Sequence, residues 1–224
     1  MGRCGFDFVV VDLEHSVTTI SEAGELIRII DLCGAAPLVR LTSNDPNQIK
    51  RVMDAGAHGV IVPMMNSAEE ARRAVAAVNY PMRGNRGVGL GRAQGYGTRF
   101  REYCEWLESS SVVIAQIEHI DAVNALESIL AVEGIDGYII GPYDLSASMG
   151  LAGQFDHPDV KAAVERVRTV GAQMNKTGGV HIVEPDPEQL RARIAEGFRF
   201  IAYSVDFRML DVACRQGLAV VKRR

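Results

Sequence analysis

Five short stretches of the 224-residue chain carry side chains that could do chemistry together. "FVVVDLEHS" ends an apolar run with Asp12, Glu14 and His15, and "APLVRL" holds one cation, Arg40, among apolar neighbours. "VVIAQIEHI" contributes Gln116, Glu118 and His119, "YIIGPYDLS" contributes Pro142, Tyr143 and Asp144, and "GGVHIV" carries His181. Carboxylates with open positions suit a hard divalent ion such as Mg²⁺ or Mn²⁺, which takes oxygen ligands and keeps water or substrate in its shell. A 2-oxo acid could complete that shell through its carboxylate and keto oxygens, and the ion would acidify the adjacent carbon. An arginine at the keto oxygen would stabilise the enolate as its charge develops. A histidine held by an aspartate could move the proton, because its pKa lies near the working pH.

Each of these side chains also has a plainer role. An aspartate beside a strand end often only caps a turn or helix. Lone histidines are mostly satisfied or solvated, which is the expectation for His58 and His157 at the starts of a strand and a helix. Glu14 and His119 each follow the last inward position of a strand and are expected to face away, with Glu14 structural. Arg40 is harder to explain without function, because a guanidinium late in a buried strand needs an anion or many acceptors. Gln116 and Glu118, two residues apart, share one strand face. The five histidines show no H-x-H or H-E-x-x-H spacing, which disfavours a histidine-rich zinc site. Lys50, Lys161, Lys176 and Lys222 fall in helices or tails rather than at strand ends, which disfavours a Schiff-base aldolase.

A scaffold that gathers strand ends is needed, and the chain supplies one. Short runs rich in β-branched residues recur at 8–12, 37–41, 59–64, 112–118, 137–141, 179–183 and 198–205. They are nearly continuously apolar, as expected for strands buried on both faces of a parallel sheet. Asp45-Pro46 and Asp186-Pro187 are helix openings, and Ser67 with Glu70 reads as a capping box. Gly56 and Gly197 close helices just before the next strand. That rhythm predicts a single (β/α) barrel domain over residues 1–224, with its active site where the strands end. A doubly wound open sheet would carry a glycine loop after its first strand. "RGVGLGRAQG" lies mid-chain, does not fit G-x-G-x-x-G, and is read as a long loop after a strand. The visible strands number seven, one short of a closed (β/α)8 barrel.

A formal charge of −4 gives no basic footprint for nucleic acid or an anionic membrane. No apolar run reaches the length of a membrane span. Cys4, Cys33, Cys104 and Cys214 form no C-x-x-C pair, so neither a zinc cluster nor a disulfide framework is expected, and a cytoplasmic protein is the default.

"DFVVVDLEHS", "PLVRL", "DAGAHGVIVPMMNSAEEARRAV", "RGVG", "VIAQIEH" and "VEGIDGYIIGPYDLSASMG" together resemble the HpcH/HpaI aldolase family, in order, from about Phe6 to Val205. The resemblance implies a metal-dependent class II pyruvate aldolase on a TIM barrel of the phosphoenolpyruvate/pyruvate type, with Mg²⁺, Mn²⁺ or Co²⁺. It implies reversible cleavage of a 4-hydroxy-2-oxo acid to pyruvate and an aldehyde through a metal-bound enolate. Carried over by position, His15 is the catalytic histidine, Asp12 orients it, and Arg40 binds the pyruvyl oxygen. Glu118 and Asp144 are the metal ligands, Gln116 is a substrate-side amide, and Pro142 to Asp144 hold the substrate carboxylate. His181 departs from the apolar residue expected near the substrate and could tune specificity.

The alternatives are a related lyase or decarboxylase acting on a malyl-type thioester or oxaloacetate, and a non-catalytic barrel that binds a 2-oxo acid. A thioester enzyme would need a basic groove, for which Arg83, Arg86 and Arg92 are the candidates. The family also implies a homo-oligomer, a hexamer or trimer of dimers that exchanges C-terminal helices, for which "DFRMLDVACRQGLAVV" is the candidate. Family members carry a strand and helix ahead of "GFDF", where this sequence has Met1-Gly-Arg-Cys. The missing unit is expected to leave exposed sheet edges and lower stability, or to demand an assembly that covers the gap. Adding an upstream strand–helix unit of about 30 residues is expected to raise the melting temperature; an unchanged value would refute this.

Overall fold

The computed structural model describes residues 1–221. Seven strands form one parallel sheet in chain order: β1 (Phe8–Asp12), β2 (Ala36–Arg40), β3 (Gly59–Val62), β4 (Val112–Ile117), β5 (Gly137–Ile140), β6 (Thr177–Ile182) and β7 (Phe200–Tyr203). Between and after them run α1 (Ile20–Leu32), α2 (Pro46–Asp54), α3 (Ala68–Val78), α4 (Phe100–Ser110), α5 (Ile120–Asn124), α6 (Leu126–Leu130), α7 (Pro142–Ser148), α8 (Pro158–Gln173), α9 (Pro187–Ala195) and α10 (Asp206–Ala219). The helix openings follow the sequence. Asp45 and Asp186 each accept a backbone N–H from the first turn, ahead of a proline at the first helical position. Ser67 likewise accepts from Glu70, but the Glu70 carboxylate receives the Asn66 N–H rather than that of Ser67, so the expected capping box is only half formed.

The strands alternate between two environments. Val11, Val39, Val60, Val62, Val113, Ala115, Ile117, Tyr138 and Ile140 face outward into one large core shared with the helices. Leu38, Ile61, Ile114, Ile139 and Phe200 face inward, joined by Phe8, Val10, Val112 and Ala202. This inner cluster fills the barrel floor. Because side chains repeat every two residues along a strand, the next inward positions after the apolar layer are Asp12, Arg40, Gln116 and Ser204. His181 belongs with them, since it pairs in register with Ala202. The barrel thus has an apolar floor and a polar mouth at the C-terminal ends of its strands.

The sheet is not closed by hydrogen bonds, because β1 and β7 share no ladder. At floor level the rings of Phe8 and Phe200 stack with centroids 4.6 Å apart and bridge the opening. The helix α10 buries none of its residues, and Phe207, Leu210 and Leu218 on it are exposed. Among the described residues no helix is long and apolar enough to cross a membrane.

The glycine-rich segment departs from expectation. It follows α3 rather than a strand, and leads through a short turn at Arg92–Gly97 into α4. Its anchor is Arg86, 2% exposed, which stacks on Tyr80 with 4.3 Å to the ring centroid and donates to the Tyr103 hydroxyl at 2.9 Å. These contacts lie beside the C-terminal end of α2, at the end of the barrel opposite the mouth. Arg92 donates to the Ala55 carbonyl there and pairs with Asp31.

Close helix–sheet approach is needed at Gly171 on α8, where a Cβ would fall 2.2 Å from the Tyr138 ring. G171A is therefore expected to destabilise the protein by about 1–3 kcal/mol through overpacking, although alanine favours helix over glycine by about 1 kcal/mol. Urea unfolding measures this, and a stabilised variant would contradict the packing described.

Candidate active site

Arg40 is the centre of the polar mouth. Its Nε and Nη2 donate to the two Asp12 carboxylate oxygens at 2.8 and 2.7 Å, a fork that the register pairing of Asp12 with Arg40 on neighbouring strands sets up. Its Nη1 lies 3.2 Å from the Glu14 carboxylate. Burial opposes ionisation of Asp12, but the Arg40 hydrogen bonds and charge, with the N–H groups of Glu14 and His15, outweigh it and hold the carboxyl below its ordinary value. Arg40 is likewise shifted upward, since Asp12, Glu14 and Glu118 overcome the effect of its own burial.

Glu14 is the residue that sequence reasoning misplaced. Its side chain turns into the mouth, where it accepts a hydrogen bond from Gln116 Nε2 at 3.1 Å in addition to its contact with Arg40. The signal was present: Glu14 is two residues beyond Asp12 and so shares its face. The opposite outcome holds for His119, which turns outward and caps α5 by accepting the Asp121 N–H on Nδ1. His157 caps α8 in the same way, and His58 sits 3.7 Å from Asp31 at the start of β3.

The expected Asp12–His15 pair is not formed through side chains. Asp12 is taken by Arg40, and the His15 imidazole, 67% exposed, lies 3.8 Å from Glu14 instead. The carboxylate that can orient His15 in this geometry is therefore Glu14.

Glu118 is 3% exposed and faces the mouth from the end of β4. It accepts the Met64 N–H at 2.7 Å and the Gln116 amide at 2.6 Å. Burial raises its pKa; those two hydrogen bonds oppose the rise, and the neighbouring charges of Glu14 and Asp144 add to it. Gly141 makes room for this carboxylate, since a Cβ there would fall 2.8 Å from Glu118 Cβ and 2.9 Å from its Oε2. Pro142 opens α7 and Asp144 lies in its first turn, exposed, while Tyr143 packs edge-on against Phe155.

Among the described residues no set of three His, Cys, Asp or Glu side chains closes into a complete metal cage. What the mouth offers is a buried carboxylate destabilised by its own burial and by two other acids. That donor set fits a hard divalent ion which keeps open positions for water and substrate.

His181 faces the mouth from β6, within reach of the charges of Arg40 and Asp12. Arg83, Arg86 and Arg92 do not form a groove beside this mouth. Arg86 is enclosed, Arg92 is paired at the other end of the barrel, and Arg83 reaches Glu108 at 3.7 Å. Lys176 also lies away from the mouth, just ahead of β6, and Lys222 falls outside the described residues.

Residues 1–211 match the family model for HpcH/HpaI aldolase/citrate lyase. The 4-hydroxy-2-oxo-heptane-1,7-dioate aldolase of Salmonella typhimurium is 41% identical over 213 residues, covering 94% of this chain and 80% of that protein. A hydroxypyruvate/pyruvate aldolase of Sagittula stellata is 39% identical over 214 residues, covering 95% of this chain and 83% of that protein. A crystal structure of an HpcH/HpaI aldolase/citrate lyase family protein from Burkholderia cenocepacia superposes with a TM-score of 0.91 at 32% identity, covering 99% of this chain and 88% of the other.

The strain on Glu118 makes a prediction with a definite sign. Its folded-state pKa is raised above the ordinary 4.5, so the penalty on its charged form is absent at low pH and grows as pH rises through that folded pKa. In metal-free protein E118Q is therefore expected to raise the melting temperature near neutral pH, with each 1 kcal/mol gained worth about 2–4 °C. The gain should vanish in acid. A variant less stable than the parent at pH 7 without metal would overturn this account of the site.

Proposed function

The chain belongs to the HpcH/HpaI aldolase/citrate lyase family, and on that premise we propose that it cleaves a 4-hydroxy-2-oxo acid reversibly to pyruvate and an aldehyde. The observation that carries this reading is one mouth in which Arg40 faces a buried, raised-pKa Glu118 with Asp144 nearby. A cation and a buried carboxylate in one mouth match the needs of a 2-oxo acid: a donor for its oxygen and a ligand for an ion. Glu118 and Asp144 would hold that ion, Mg²⁺, Mn²⁺ or Co²⁺, which supplies Lewis acidity to the 2-oxo group.

The remaining work falls to the chain itself. Arg40, fixed by Asp12 and Glu14, donates to the oxygen on which negative charge develops as the carbon–carbon bond breaks. Gln116, held between Glu14 and Glu118, fixes the spacing of these acids and presents an amide to substrate. Gly141 gives α7 no side-chain cap and Pro142 carries no N–H, so the first-turn N–H groups of Tyr143 and Asp144 are the ones available to the substrate carboxylate. His15, beside Glu14 at the rim, moves the proton on and off the methyl carbon of pyruvate. His181 contacts the aldehyde half. The relatives named for 4-hydroxy-2-oxo-heptane-1,7-dioate and for hydroxypyruvate and pyruvate support a 2-oxo-acid aldol substrate. The exposed Phe207, Leu210 and Leu218 of α10 support a homo-oligomer in which another copy covers that face.

Exchange of pyruvate methyl protons in D₂O, followed by NMR, tests the first half of this reaction without the aldehyde. Exchange is expected with Mg²⁺ or Mn²⁺, to stop with a chelator, and to fall at least about 100-fold in H15A and R40A. A folded, metal-loaded protein that shows no exchange would refute the proposal.

A further inference from the structure

Glu118 is the most deeply buried acid of the mouth, and a strained turn after the neighbouring strand holds it. Both of its oxygens are engaged: Oε1 accepts the Met64 N–H at 2.7 Å, and Oε2 accepts from Gln116 Nε2 at 2.6 Å. A carboxylate offers about four lone-pair sites, so one on each oxygen is left for a further partner. Gly141 borders the Oε2 side, where a Cβ would come within 2.9 Å. Two donors therefore set the tilt of this carboxylate, and a glycine sets the room it has.

The backbone donor is the unusual one. Met64 lies two residues beyond the end of β3 with φ 50°, in the left-handed region that residues with side chains rarely enter. Its own side chain does not account for this, being 46% exposed, whereas that of Met65 is fully buried in the outer core. The hydrogen bonds do. An extended strand sends successive N–H groups to opposite sides, but a helical-type turn of either hand sends them to the same side. Here the Met64 N–H reaches Glu118 and the Met65 N–H reaches the Gln116 carbonyl at 3.4 Å, both on the β4 side. Successive N–H groups turned one way make a concavity that suits an anion. The left-handed turn thus lets the chain seat Met65 in the core and still aim a donor at a carboxylate in the mouth, which is where stored backbone strain tends to be kept.

We propose that Met64 is a positioning residue: through its left-handed backbone, and not its side chain, it fixes the Glu118 carboxylate for a divalent ion. The inference rests on the metal-binding role given to Glu118 above. A charge-assisted hydrogen bond from the main chain keeps Oε1 from swinging away, so an ion meets a ligand that is already oriented.

Replacing Met64 by its α-hydroxy acid turns the Pro63–Met64 amide into an ester, which deletes the N–H and keeps the side chain. Mn²⁺ binding to the full chain, read from the EPR signal of the free ion, is then expected to weaken about 10–100-fold, as for loss of a partner that orients a metal ligand. The same replacement at Met65 removes the adjacent bond of the turn without touching Glu118, and is expected to leave Mn²⁺ affinity near the parent value. M64V, whose branched side chain disfavours the left-handed region, is expected to bind Mn²⁺ more weakly than M64N, which tolerates it. An ester at 64 that binds as tightly as the parent would overturn the proposal. So would equal losses from both esters, which would make the turn merely structural. E118Q locates the ion: if it leaves binding unchanged, or if the parent binds no Mn²⁺, the metal-ligand reading of Glu118 falls and the proposal falls with it.

Discussion

Arg40 is the cation around which the acids of the mouth are arranged. A barrel end that gathers Asp12, Glu14, Glu118 and Asp144 needs positive charge, and the cost shows at Glu118, whose ionisation Glu14 and Asp144 both oppose. The bidentate contact with Asp12 and the approach to Glu14 settle two of the four. What is left over, on Glu118 and Asp144, is the part of the site that asks for a second positive charge. In the proposed reaction the arginine built into β2 and an ion held by those two carboxylates would be complementary.

That arrangement depends on strand parity. A barrel whose floor is Phe8, Val10, Leu38, Ile114, Ile139 and Phe200 has its register fixed, because a slip of one residue would exchange these rings and aliphatic chains for the outward set. Fixing the floor fixes the mouth. Asp12, Arg40, Gln116 and His181 are inward because the apolar residues two positions earlier are inward, so core packing does the positioning that catalysis would otherwise need dedicated contacts to achieve.

Much of this was legible in the sequence. The seven strands announce themselves as continuous apolar runs, and Asp-Pro and glycine signals mark the helices between them, because burial on both faces leaves no room for polar alternation. Glu14 was lost by reading the strand as ended at Asp12; the periodicity that placed Gln116 with Glu118 applied equally to Asp12 and Glu14. The partner of His15 was lost for another reason. Asp12 has a choice between an imidazole three residues away and a guanidinium on the next strand, and only the sheet register decides it. The segment around Arg86 was illegible for a third reason. An arginine enclosed by Tyr80 and Tyr103, far from any apolar run, has no periodic signature, so its glycines read as a loop belonging to a strand when they belong to a helix end.

The contact between Gly141 and Glu118 reaches beyond geometry into the order in which mutations can be accepted. With a glutamate at 118, the Cβ of any other residue at 141 meets that side chain's own Cβ and carboxylate, so the glycine is locked while the acid remains. Shortening Glu118 opens space at its carboxylate, though not at its Cβ, and so relaxes the lock only in part. The two positions are epistatic, and asymmetrically so. A lineage that abandons the acid first faces only the Cβ contact when it later changes 141, while one that changes the glycine first must displace the acid in the same step.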